Sequence, residues 1–156
     1  MTSHARLSLP ALAAFFALSF AAALGGALFP TGAEFAQLQR PFFAPPNWLF
    51  GPVWTVLYGL IAWSAWLVWR RVGWWGPPMR MWYVQLALNA VWTPLFFGLG
   101  WRGVALVEMA LLWVAILRTI VLFKPHSRAA GWMLAPYLAW VSFALVLNAA
   151  FWWLNR

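Results

Sequence analysis

The sequence predicts an all-α membrane protein, a five-transmembrane-helix bundle, and three observations carry that reading. Of its 156 residues 65% are hydrophobic and only 8% charged, more apolar surface than a soluble domain of this length can hide. Five apolar segments reach the roughly 20 residues needed to cross a hydrocarbon core. The breaks between them carry prolines, glycines and most of the basic residues. The chain has no cysteine, so disulfides, a thiolate nucleophile and thiolate metal sites are all excluded.

The first span covers about residues 7–29. Its short basic start and the small residues from Ala23 to Ala27 also fit a secretory signal peptide. However, Ala13, Ala17, Ala21 and Gly25 recur every four residues, a stripe that lets another helix approach within the bundle or across a dimer. We therefore expect a retained span, ended by Pro30-Thr31-Gly32 and followed by a loop over 30–46.

The second span, about 47–69, is entered through the proline- and ring-rich run from Arg40 to Tyr58, and Phe50, Trp54 and Tyr58 fall four apart. In the third, about 79–101, Trp82, Gln85, Asn89, Trp92 and Phe96 are spaced by three, four, three and four, so all five share one face. The fourth, about 103–123, holds Glu108, the one acidic residue within a span. Pairing with Arg102 or snorkelling to the headgroups is expected of it before proton relay, and Arg118 should snorkel from the other end. The fifth, about 130–154, sets Tyr137, Trp140, Ala144 and Asn148 on one face. Residues 1–156 read as a single domain without internal repeats.

Pro52, Pro94 and Pro136 lie in spans two, three and five. Each removes a backbone donor and favours a kink, and kinks on three helices can open a cavity. Trp48, Trp69, Trp74, Trp75, Trp101, Trp152 and Trp153 sit at span ends, as an interfacial belt would place them. Trp54, Trp92 and Trp140 lie deeper, where pocket lining competes with plain packing. Asparagine and glutamine on these faces can equally serve as hydrogen-bonding glue between helices.

The formal charge of +8 does not form a stripe interleaved with aromatics, so nucleic-acid binding is not expected. Arg6, Arg70, Arg71, Arg80, Lys124 and Arg128 share one side of the bundle, against Arg40, Arg102 and Arg156 on the other. The positive-inside rule then makes the N-terminus cytoplasmic and puts the 30–46 loop on the opposite side. His4 and His126 map to the cytoplasmic side, away from that loop, so a metal held there by histidine is not expected. With one intramembrane acid and no serine–histidine–acid set, conventional acid–base catalysis is not expected either.

Three ordered blocks resemble the TspO/MBR family, the tryptophan-rich sensory proteins related to the mitochondrial translocator protein (peripheral benzodiazepine receptor). Arg40-Pro41, Pro45-Pro46-Asn47-Trp48 and Phe50 to Tyr58 are similar to its first loop and second helix. Gln85 to Asn89 with Trp92 to Gly98 resembles its third helix, and Pro136 to Trp140 with Asn148 its fifth. The resemblance implies a bundle, often a homodimer, with a ligand pocket beneath the loop between helices one and two. Its ligands are porphyrins such as protoporphyrin IX, isoquinoline-carboxamide and benzodiazepine drugs and, in animal members, cholesterol. Family pocket positions fall on Phe42, Phe50, Trp54, Asn89, Trp140, Ala144 and Leu147. Some bacterial relatives have tryptophan where Phe42 stands, so the loop here lacks that indole donor. None of Tyr58, Tyr83 or Tyr137 is followed by a basic residue within a sterol-motif distance. Only the reversed pattern through Arg80, Tyr83 and Leu86 can be drawn, which leaves sterol binding unsupported.

Faces and resemblance together nominate Arg40, Phe42, Phe50, Trp54, Tyr58, Gln85, Asn89, Trp92, Trp140, Ala144 and Leu147 as ligand-binding, with no metal and no obligatory cofactor. The expected function is a porphyrin-binding receptor or sensor in a bacterial cell membrane, regulating tetrapyrrole, photosynthetic or stress responses. In it the rings stack on the porphyrin face, Asn89 and Gln85 meet polar edges and Arg40 meets a propionate. The alternatives are light-dependent porphyrin degradation shaped by Trp54 and Trp140, transport of tetrapyrrole or lipid, and a structural subunit of a pigment–protein assembly. Transport has the least support, since no inverted repeat or coupling-ion site is visible.

Overall fold

The computed structural model describes residues 8–28 and 32–156, so His4, Arg6, Pro30 and Thr31 lie outside the described residues. Among these every regular element is helical. The order is α1 (Leu9–Ala22), α2 (Leu24–Leu28), α3 (Ala33–Gln37), α4 (Phe50–Val72), α5 (Pro77–Thr93), α6 (Arg102–Phe123), α7 (Arg128–Met133) and α8 (Ala135–Leu154). A 3-10 turn at Asn47–Leu49 leads into α4, and a π turn at Pro94–Gly98 extends α5. Among the described residues, three helical stretches are long and apolar enough to cross a bilayer: Asn47–Val72, Arg102–Phe123 and Arg128–Leu154. Leu9–Ala22 is apolar but shorter.

Local chemistry fixes the ends. Ser8 caps α1, its hydroxyl accepting from the Ala11 N–H, and Ser127 caps α7 in the same way at Ala130. Gly73 closes α4: its N–H donates to the Trp69 carbonyl, and its φ of 76° turns the chain out of the helix in a conformation that favours glycine. The three prolines behave differently from one another. Pro52 sits in the first turn of α4, where its missing donor has no partner to lose, and α4 runs on without interruption to Val72. Pro94 opens the π turn, and Pro136 leaves the helix interrupted at Leu134 between α7 and α8. A local break in regular α-helix thus accompanies Pro94 and Pro136 but not Pro52.

The rods pack as α1 on α4, α5 on α6 and α6 on α8. The centre of the main core is ring on ring: Phe15 meets the edge of Trp82 at 5.4 Å and Trp69 at 6.2 Å. Trp82 is fully buried and donates its indole N–H to the Ile61 carbonyl at 3.2 Å. Trp69 is a correction to the interfacial belt. It is only 6% exposed, because Ile61, Ala65 and Trp69 recur every four residues on the α4 face turned to α1. Trp48, Trp75, Trp101 and Trp153 are exposed, as belt residues should be. The small-residue stripe also divides: Ala13, Ala17 and Ala21 point outward, while Gly25 lies against Thr93 and Pro94 of the third rod.

This core predicts a contrast in detergent-solubilised protein. Trp82→Ala should cost about 3 kcal/mol in thermal unfolding, through the cavity left by a fully buried ring. Trp48→Ala, at an exposed site, should change stability by less than about 0.5 kcal/mol.

Candidate functional site

Three helices present their predicted faces to one another at mid-height, and a chain of hydrogen bonds ties them. The Tyr58 hydroxyl of α4 donates to Asn89 Oδ1 of α5 at 2.7 Å. Asn89 Nδ2 donates to the Tyr137 hydroxyl of α8 at 2.8 Å, and that hydroxyl donates onward to Gln85 Oε1 at 2.9 Å. All four side chains are buried. A second tie lies nearer the loop end: Trp92 Nε1 donates to Asn148 Oδ1 at 2.9 Å, and Asn148 Nδ2 donates to the Arg102 carbonyl at 3.0 Å.

Between these ties and the described 32–46 segment lies a cavity of about 480 Å³, within the roughly 300–1,000 Å³ range of small-molecule sites. Phe50, Trp54, Tyr58, Asn89, Trp92, Trp140, Ala144 and Leu147 line it, eight of the eleven residues nominated from sequence. The rings meet mostly edge to face or tilted. Phe50 stands at 72° to Trp140 with centroids 5.8 Å apart, and Trp54 at 73° to Tyr137. Trp92 stacks on Phe96 at 4.9 Å. Among the described lining side chains, Trp140 alone keeps a buried polar atom without a partner, its indole Nε1.

The other three nominated residues are placed elsewhere. Gln85 is buried at the inner end of the tyrosine–amide chain, off the cavity wall. Arg40 is exposed and turned to its own loop, donating to Asn47 Oδ1 at 3.0 Å and to the Pro45 carbonyl at 2.9 Å. Phe42 is 101% exposed and touches Phe43 alone among rings. Pro41 is buried and Phe43 packs inward on Phe143, so the residue between them has to point out.

The wall also contains residues that spacing did not single out. Phe20, Ala22 and Ala23 of the first rod line it, as do Met109 and Leu112 of α6. Helices that are apolar on every side give no periodic signal to read. Phe35 lines it from α3, a short helix inside the stretch expected to be loop. The available signal was weak: Gly32 at the cap and Glu34 in the first turn. The expected Arg102–Glu108 pair is absent. Six residues put the two side chains roughly 120° apart around the axis, and Arg102 instead pairs with Glu34 at 2.8 Å. Glu108 is 8% exposed and neither carboxyl oxygen has a protein partner, so it does not snorkel.

The tyrosine–amide chain predicts an order of stabilities. Tyr137→Phe keeps the ring but strands Asn89 Nδ2 and Gln85 Oε1, and should cost about 1–3 kcal/mol. Tyr58→Phe strands only Asn89 Oδ1 and should cost less. Thermal unfolding in one detergent checks the ranking, and equal midpoints would show that the chain carries no net stability.

The family model described as TspO/MBR matches residues 12–154. A tryptophan-rich protein TspO of Archaeoglobus fulgidus is 43% identical over 123 residues, covering 78% of this chain and 79% of its own. Protein CrtK of Rhodobacter capsulatus is 37% identical over 158 aligned positions, covering 96% and 95%. The human translocator protein is 39% identical over 122 residues, covering 76% and 72%. With a match across nearly the whole chain and long apolar helices of spanning length, this protein belongs to the TspO/MBR family and is an integral membrane protein.

Proposed function

We propose that this protein is a membrane receptor or sensor for a flat, apolar, acid-bearing tetrapyrrole such as protoporphyrin IX, held in the cavity beneath the 30–46 segment. The supporting observation is the wall itself: Phe50, Trp54, Trp92, Phe96 and Trp140 surround a space of ligand size. Rings of this kind give a planar guest large contact area and quadrupole-matched faces. Trp140 Nε1, buried and unpartnered, is a donor for one acceptor on the guest. The guest's carboxylates belong at the mouth, where the Arg40 guanidinium lies 5.8 Å over the ring of Phe35. This replaces direct polar contacts from Gln85 and Asn89, whose side chains serve the helix-tying chain.

In this reading the rods α1–α2, α4, α5 with its π turn, α6, and α7–α8 are five membrane spans in a bacterial cell membrane. The N-terminus is cytoplasmic and the 30–46 segment faces away from the cytoplasm, as the basic residues direct. The protein works as a homodimer, and the outward Ala13, Ala17 and Ala21 offer a close-packing face for it.

Two experiments test these points. Protoporphyrin IX added to purified protein should quench tryptophan fluorescence, and Trp54→Ala with Trp140→Ala should weaken binding by at least about tenfold. Unchanged affinity in the double variant would place the ligand outside this cavity. Because the chain has no cysteine, single cysteines report orientation. A membrane-impermeant thiol reagent on intact cells should modify Gln37→Cys and spare Arg71→Cys, and the reverse pattern would invert the topology.

A further inference from the structure

A second hollow opens outward where α6 begins and α8 ends. It is a groove of about 530 Å³, lined by Trp101 and Trp152 and by the bare backbone of Gly100 and Gly103. It shares no lining residue with the ring-walled cavity. One of the glycines is there for room. A Cβ on Gly103 would sit 2.9 Å from Trp152 Nε1, so only glycine lets that indole lie against the first turn of α6.

The depth of the groove narrows the chemistry of an occupant. Span ends lie at the level of lipid headgroups, where amphipathic indoles collect. Trp101 is 55% exposed and Trp152 39%, so both present ring surface outward. On the hydrocarbon side, Val104 lines the groove and begins an apolar track. Val104, Val107, Leu111 and Val114 are spaced by three, four and three, and all are exposed. At the water side stands a cation. The Arg156 guanidinium lies 5.9 Å from the Trp152 ring and 3.5 Å from that of Trp153. The chain has only two acidic side chains. Glu34 pairs with Arg102 at 2.8 Å, and Glu108 is buried in the bundle. Arg156 is left without an acidic side chain to answer it.

We infer that this groove binds one anionic phospholipid, such as phosphatidylglycerol, with its phosphate beside Arg156 and an acyl chain along Val104, Val107 and Leu111. A neutral lipid would match the apolar track and leave the cation unanswered. A soluble phosphate would meet the cation and gain nothing from the indoles or the track. One basic residue near an anionic headgroup favours it by a factor of about five. The site stands whatever the ring-walled cavity holds.

Native mass spectrometry of detergent-purified protein, supplied with equal phosphatidylglycerol and phosphatidylcholine, tests the site. For the most tightly held lipid, the parent should favour phosphatidylglycerol about fivefold, and raised salt should shrink that preference. Arg156→Gln should abolish the preference, whereas Arg71→Gln, at the other end of the bundle, should keep it. Trp101→Ala with Trp152→Ala, both at exposed sites, should lower retention of either lipid by at least about fivefold. Equal retention of the two lipids by the parent overturns the site. So does a preference that survives Arg156→Gln and the double indole variant while both are folded by circular dichroism. Loss of the preference in Arg71→Gln alone would move the lipid to the opposite end and overturn it too. Displacement of the lipid by excess glycerol phosphate would make this a site for soluble anions. A dimer that falls to monomer in the double variant, with lipid retention unmoved, would give the groove to a second copy of the chain. Either result sinks the lipid assignment.

Discussion

The hydrogen-bond chain from Tyr58 through Asn89 and Tyr137 to Gln85 is the constraint on which the interior depends. In hydrocarbon no hydrophobic force draws one apolar helix to another, so packing and internal polar contacts must set their relative positions. This chain runs one way, each group spending its donor on the next acceptor, and it crosses α4, α5 and α8 in turn. A rotation of any of the three by one residue would strand at least two buried polar atoms. The helices are thereby fixed in azimuth as well as in distance. The ring faces above the chain are aimed inward for that reason, before any guest is considered.

Fixing the faces does not by itself leave room, and the second ingredient is the shape of what fills the layer above. Indole and phenyl rings make up much of that layer and meet mostly edge to face or tilted. The π turn from Pro94 to Gly98 sets Phe96 and Phe97 side by side with their planes at 70°. The first sits on Trp92, and both reach Phe35. Proline's missing donor relaxes the turn, the relaxed turn redirects two rings, and those rings make the shelf on which α3 rests.

Most of this interior was legible in the sequence because spacing by three and four is a direct statement about helix faces. Trp82 to Phe96, Phe50 to Tyr58 and Tyr137 to Asn148 each follow it, and each turns inward. The failures share a cause, which is that spacing says nothing about partners. Arg102 and Glu108 are near in sequence but on different sides of one helix, while Arg102 and Glu34 are far apart in sequence and touch. Trp69 sits at a span end yet is buried, because the first rod covers that side of α4. Phe42 belongs to a loop, where no period applies and the inward turn of its two neighbours decided its direction. Met109 and Leu112 stand on a helix so evenly apolar that no face could be told from another.

The way polar atoms are spent also limits what the cavity can hold. Asn89, Tyr58, Trp92 and Asn148 all line it, and each is committed to another side chain or to backbone. Thr55 returns its hydroxyl to the Gly51 carbonyl, and Asn47 Oδ1 is taken by Arg40. The buried Trp140 Nε1 is left over. An ionised group drawn into such a space would lose its hydration and gain no counter-charge, a cost of many kcal/mol. A guest with both a flat apolar body and acidic arms therefore has one favourable orientation, body inward and arms toward the loop end, where Arg40 and Arg102 stand. Arg40 ties its own loop together through Asn47 and the Pro45 carbonyl, and Arg102 ties Glu34 to the bundle, so both cations at that end already have partners within the protein.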